Sequence, residues 1–170
     1  MTTVVVHTWA RDPGNALVRP DGTVEWRSTK LVPGEDDPAA VSAALGIASA
    51  RDDELVAVTF GDADPSWALA RGAARSVVVT DASVDDDEAA VAALVAAAVR
   101  TVDGVDVVVI GDSEAHPGVA GTVAGLLGWS VVLGVSTARW GEEALEADRR
   151  VAEGVQTLAV PAPVVVAVRA

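Results

Sequence analysis

The chain has no cysteine in its 170 residues. That excludes a disulfide framework, a zinc–cysteine site, an iron–sulfur cluster and thiol catalysis, and it makes the cytoplasm the expected compartment. Tyrosine is also missing, histidine occurs twice and Lys30 is the only lysine. Twelve basic residues against 25 acidic ones give a formal charge of −13. Nucleic acid and anionic membrane surfaces both require a basic footprint, so neither is expected as a partner. No apolar segment approaches the roughly 20 residues needed to cross a bilayer. The N-terminal MTTVVVHTWARD lacks a basic flank and reads as a first strand rather than a signal peptide. The heavy use of Asp, Ala, Val and Arg reflects a high-GC genome or a salt-loving host rather than a function.

What is present is apolar, with 51% of residues hydrophobic. A chain of this length buries a substantial core, and a single domain over residues 1–170 is expected. Short β-branched runs at residues 3–8, 55–60, 76–80 and 105–110 have the continuous apolar character of parallel strands covered on both faces. Between them, residues 37–50, 65–74 and 85–102 carry helical spacing. Asp64 precedes Pro65, and residues 85–88 supply first-turn acids, as helix starts favour. Strands alternating with helices predict βαβ units, right-handed crossovers and a parallel sheet.

Two regions break the alternation. RPDGTVEWRSTKL, residues 19–31, holds an Asp-Gly turn and predicts a short hairpin. After Val131 the runs VVLGVS, ALEADRRV, VQTLAV and VVVAV predict antiparallel strands that extend the sheet, with turns at Gly141, Glu153-Gly154 and residues 161–163.

The chemistry-bearing residues are few. His7 and His116 both fall at carboxyl ends of predicted parallel strands, which converge on one crevice in a doubly wound sheet. Neither is expected to be catalytic, since Ser113 lacks the G-x-S-x-G elbow and no nucleophile–base pair has the needed spacing. Glu35, Asp36 and Asp37 precede a helix, where acids are favoured without any metal, and no metal site is expected. Neither phosphate fingerprint, GxxxxGK[ST] or an early G-x-G-x-x-G, is present. The remaining phosphate candidate is GDSEAHPGVAGTVAGLLGW, residues 111–129. Its Gly118, Gly121 and the amides of residues 119–122 either face an anion at a helix N-terminus, or Gly118, Gly121 and Gly125 allow close packing of helix on sheet. Both readings stand on the residues alone.

The C-terminal run RRVAEGVQTLAVPAPVVVAV resembles the signature of the electron transfer flavoprotein β subunit family, with Arg149, Glu153, Gly154, Gln156, Leu158, Pro163, Val165, Val166 and Ala167 at matching spacing. DGTVEW, DDPAAVSAAL, VAVTFGDADPSWALARGAARSVVVTD and VDVVVIGDSEAHPGVAGTVAGLLGWSVVLGVS resemble further segments of that family in the same order. The resemblance implies a Rossmann-like, three-layer α/β domain of the adenine-nucleotide-hydrolase-like kind. It also implies an FAD-carrying α-type partner subunit, electron transfer from dehydrogenases to a respiratory or other acceptor, and a place for AMP or, in bifurcating members, a second FAD. That nucleotide position would be lined by Val6, Gly34, Asp37, Phe60, Gly111, Ser113, Gly118, Val119, Ala120, Gly121 and Thr122.

Departures from the family pattern are concentrated at the same place. The Asn-Pro-Phe-Asp/Glu element is replaced by Gly34, Glu35, Asp36 and Asp37. The loop after the fourth parallel strand is shorter and carries Ser113, Glu114, His116, Pro117 and Gly118 in place of the family's Gln and Asp-x-Asp residues. Backbone amides are left as the expected phosphate donors. The signature is expected to end the chain, without the long C-terminal arm by which the family embraces its partner. The alternative expectation is a stand-alone adenine-nucleotide-binding module of the stress-protein type.

Overall fold

In the computed structural model, residues 1–170 are described apart from Thr29, Val84 and 113–115. The chain opens with β1 (Thr2–Val6), whose five residues are all buried. Two small ribbons follow. β2 (Ala10–Arg11) leads through a 3-10 turn at Pro13–Asn15 into β3 (Ala16–Val18), which pairs antiparallel with β4 (Val24–Trp26). β5 (Leu31–Val32) then returns to pair with β2. The expected hairpin is therefore present but begins earlier, at Ala16. Its Asp-Gly turn works because Gly22 sits at φ 84°, a region costly for a side-chain-bearing residue.

From there the alternation is regular. α1 (Asp37–Arg51), β6 (Glu54–Phe60), α2 (Ser66–Leu69), β7 (Arg75–Val79), α3 (Glu88–Arg100), β8 (Val105–Gly111) and α4 (Val119–Leu127) succeed one another. β9 (Ser130–Trp140), β10 (Leu145–Val151), β11 (Gly154–Val160) and β12 (Val164–Val168) complete the chain. α2 is four residues long, much shorter than the ten-residue helix expected from residues 65–74. Gly72, at φ 107°, and the turns of residues 70–73 end it early. α3 starts at Glu88, with Asp87 as the cap that accepts from the Ala90 amide at 2.9 Å.

One eight-stranded sheet runs in the order β11-β10-β9-β12-β8-β1-β6-β7. β10 is antiparallel to both of its neighbours, β9 and β11, as expected. β12 is not: it lies parallel to both β8 and β9, inside the sheet. The reason is legible in its composition. All five of its residues are buried, and only an interior strand covered on both faces hides an uninterrupted VVVAV. β10 and β11 mix polar with apolar residues and stay at the edge.

The sheet separates two hydrophobic cores, which makes three layers. On one face Val4, Val6, Val56, Val58, Val108 and Ile110 meet α3 and α4 through residues such as Val95 and Val123. On the other, Val5, Ala57, Val107, Val109 and Val166 meet α1 through Ala40, Val41, Ala44 and Ile47. Adjacent strand residues point to opposite faces, so each continuous Val run feeds both cores.

At the amino ends of the parallel strands the buried Arg51 guanidinium ties three elements together. Its Nε lies 3.0 Å from Asp53, and its Nη2 2.7 Å from Asp106 at the start of β8. The same group stacks on Trp140, at 4.2 Å from its Cζ to the ring centroid. Removing one member of a buried ion pair strands the other charges in a low-dielectric site. Arg51→Leu is expected to cost about 3–5 kcal/mol in urea unfolding. Adding Asp53→Asn and Asp106→Asn to that variant is expected to restore much of the loss.

Candidate functional site

The chain leaves β1 on one side for β6 and β7 and returns on its other side for β8, so the strand order reverses between β1 and β8. In open α/β sheets the crevice beyond the carboxyl ends of strands at such a reversal is where ligands bind. Here that place is bounded by Val6, His7 and Thr8 after β1, Gly111 and Asp112 at the end of β8, and the starts of α1 and α4.

Asp37, the first residue of α1, is buried and turns its carboxylate back toward β1. It accepts hydrogen bonds from the Thr8 amide at 3.0 and 3.1 Å, the Trp9 amide at 3.1 Å and the Gly34 amide at 2.7 Å. Burial pushes its carboxyl above the ordinary carboxylate range, while these amide donors pull it back. Asp36, also buried, accepts from the Ala170 amide at 2.7 Å. These acids begin a helix, as expected, yet neither bonds the helix's own amides as a side-chain cap. They fasten the helix start to β1 and to the residues after β12.

Gly111 sits under this junction. A Cβ there would lie 3.2 Å from the Asp36 carbonyl carbon and 3.3 Å from the Asp37 nitrogen, so a side chain at this position would push the α1 start away from β8 by a few tenths of an ångström.

The start of α4 has a carboxylate of its own. The Val119 amide donates to the His116 carbonyl at 3.3 Å, and the Thr122 amide to Gly118 at 3.0 Å. Over Gly118 lies the Glu88 side chain from the first turn of α3, with Oε2 so near that a Cβ on Gly118 would collide with it. Gly118 is thus a place of close approach, but by the flexible tip of a neighbouring helix's side chain and not by the sheet, as close packing of helix on sheet would require. Gly121 and Gly125 are not, since a Cβ on either meets nothing within 4 Å. The close-packing reading of all three glycines is corrected accordingly.

The residues expected to line a nucleotide are brought to one end of the sheet, but most serve other contacts there. Val6, Phe60, Val119 and Ala120 are buried in the core beneath α3 and α4. The Gly34 amide is bonded to Asp37, Gly111 abuts the α1 start, and Gly118 lies under Glu88. Gly121 is half-buried and Thr122 exposed. Ser113 lies outside the described residues, as does Glu114. Two cavities open elsewhere at this end of the sheet. One, of about 300 Å³, is lined by Arg11, Gly61, Asp62, Thr80 and Ser83 among others. The other, of about 720 Å³, is lined by Gly134, Ser136, Thr137, Arg150, Arg169 and Ala170. Neither includes an expected nucleotide-lining residue.

His7 is fully buried beside the crevice. Its Nδ1 accepts from the Trp9 indole at 2.8 Å, its ring centroid is 5.4 Å from that of Trp67, and Nε2 has no partner among the described residues. Loss of solvation lowers its pKa to about 4, against a smaller opposing pull from Asp64. Sequence reading missed this Trp9–His7–Trp67 cluster, because Trp67 arrives from α2 sixty residues later. It also missed Glu88 over Gly118, for which first-turn acidity was the only signal. Among the described residues no group of His, Asp and Glu side chains has a metal-holding arrangement. No helix among them is long and apolar enough to cross a membrane.

The architecture and the place of the crevice define a doubly wound α/β domain of the Rossmann-like class. Residues 29–170 match the model of the electron transfer flavoprotein domain, and the chain belongs to that family. No curated protein matches the chain significantly. The matched segment begins after the β3–β4 hairpin, so β1, at the centre of the sheet, precedes it. The family implies flavin-linked electron transfer and nucleotide chemistry. At this crevice the amides of Thr8, Trp9 and Gly34 are already bonded to a carboxylate, and Glu88 covers the α4 start. These residues do not fit an adenine nucleotide's phosphate.

Two expectations follow. Asp37→Ala leaves the buried Thr8 and Gly34 amides and the half-buried Trp9 amide without acceptors and is expected to cost about 3 kcal/mol in chemical unfolding. For His7, the unfolded chain takes up its proton near pH 6.5 but the folded one only near pH 4. Its contribution to stability is therefore complete above 6.5 and lost as pH falls through that window, by at most about 3 kcal/mol. His7→Gln, which keeps an acceptor for Trp9, is expected to show a shallower fall in urea titrations over the same pH range.

Proposed function

We propose that the chain is a β-type subunit of an electron transfer flavoprotein, working in the cytoplasm. It pairs with an FAD-carrying α-type subunit to pass electrons from dehydrogenases to a respiratory or other acceptor. The observation that carries this reading is the family match together with the way the signature residues assemble. Arg149 and Gln156 face each other across the β10–β11 hairpin, where Arg149 Nε donates to Gln156 Oε1 at 2.8 Å. Ala152 and Glu153 form its turn, and Gly154 opens β11 at φ 139°. Val165, Val166 and Ala167 are buried in β12, which seats that hairpin's neighbour β9 against β8.

The flavin supplies the redox chemistry when it is bound on the partner, and this chain supplies a rigid surface against which the partner is positioned. None of its side chains is assigned a catalytic role. Its acidic balance favours basic surfaces on whatever docks with it.

Co-expression with the α-type gene adjacent in the genome is expected to yield a yellow heterodimer with a flavin absorbance spectrum. A colourless, monomeric product from that co-expression would count decisively against the reading.

A further inference from the structure

We propose that Glu88 acts as a built-in anion at the start of α4. On this assignment it excludes a nucleotide's phosphate from the place where the family would hold one, and the chain works without a bound AMP or second FAD. The inference rests on the family reading above, since that is what gives the crevice an expected ligand.

Three observations converge on it. First, the Glu88 carboxylate, at the tip of a flexible side chain, lies beside Gly118, the residue immediately before α4. The N-terminus of a helix carries the positive end of its dipole and amides without intrahelical partners, which attract an anion. A carboxylate standing beside that terminus repels an incoming phosphate.

Second, Glu88 is not required for its own helix. Asp87 makes the side-chain cap of α3, so the reach of Glu88 toward Gly118 is an additional contact. Third, the surroundings reinforce the sign of charge. Asp37 holds the amides of Thr8, Trp9 and Gly34, and Asp36 lies beside it bonded to Ala170. Arg169, the cation that follows β12, is paired with Asp112 at 3.1 Å. A phosphate entering here meets carboxylates on both helix starts.

The test uses the isolated full chain. Nucleotide released on denaturation is identified by chromatography, and thermal midpoints are recorded with AMP and with inorganic phosphate at millimolar concentrations. For the unaltered chain the expected result is no co-purifying nucleotide and no shift. Glu88→Ala, which leaves the Asp87 cap intact, is expected to acquire a saturable upward shift with AMP. Stoichiometric AMP in the unaltered protein, or a saturable shift with it, overturns the proposal. So does a folded Glu88→Ala variant that remains silent toward AMP. A chain that binds AMP yet still forms a yellow complex overturns this inference alone, whereas a nucleotide-free chain that forms no complex overturns the subunit reading alone.

Discussion

The crevice end of the molecule hangs on one buried carboxylate. Asp37 gathers the amides at the end of β1 and the amide of Gly34, so the start of α1 is bonded directly to the central strand. Because β1 and β8 are the strands between which the sheet order reverses, this single side chain stands at the place where an open α/β sheet normally holds a ligand. Gly111 lets the α1 start rest against β8. A buried charge is tolerated there because backbone donors surround it, which is the condition under which burial of a carboxylate is affordable.

The opposite end has a matching clamp of the other sign. Arg51, at the last turn of α1, holds Asp53 before β6 and Asp106 on β8, and lies over Trp140 of β9. α1 is therefore fixed at both ends to the sheet by charged groups, with its small residues Ala40, Ala44 and Ala48 facing the core between them. Small side chains allow close approach but contribute little burial each. Buried polar anchors compensate by selecting one register of helix on sheet, a specificity role that ionic groups serve elsewhere.

Membership in the electron transfer flavoprotein family and the acid-filled crevice belong to one picture. Flavin chemistry needs a protein that binds and orients the cofactor, and on the reading proposed above this chain contributes shape and charge to a partner that does so. On the inference drawn above, carboxylates at the helix N-termini supply the negative charge that a phosphate would bring there. The Asp37 bonds hold the start of α1 against β1 by contacts within the chain itself.

Much of this was legible from the order of residues. Continuous Val and Ile runs identify four of the parallel strands, the acids of residues 85–88 the neighbourhood of the α3 start, Asp21-Gly22 a hairpin, and the run from Arg149 to Ala167 the family. These are local signals: period, capping and turn chemistry act within a few residues of where they are read. Other features depended on segments far apart in the chain. VVVAV shows burial on both faces, but only assembly of the sheet put β12 between β8 and β9. Asp37 reads as a helix-start acid, and that its bonds go to Thr8 and Trp9, 29 and 28 residues away, follows from the crossover that brings α1 back over β1. Glu88 meets Gly118 only because α3 and α4 lie side by side on one face of the sheet. Composition and periodicity determined the layers of this protein, and tertiary contact decided which charge sits at each helix start, because Coulomb and hydrogen-bond partners are selected by distance in space.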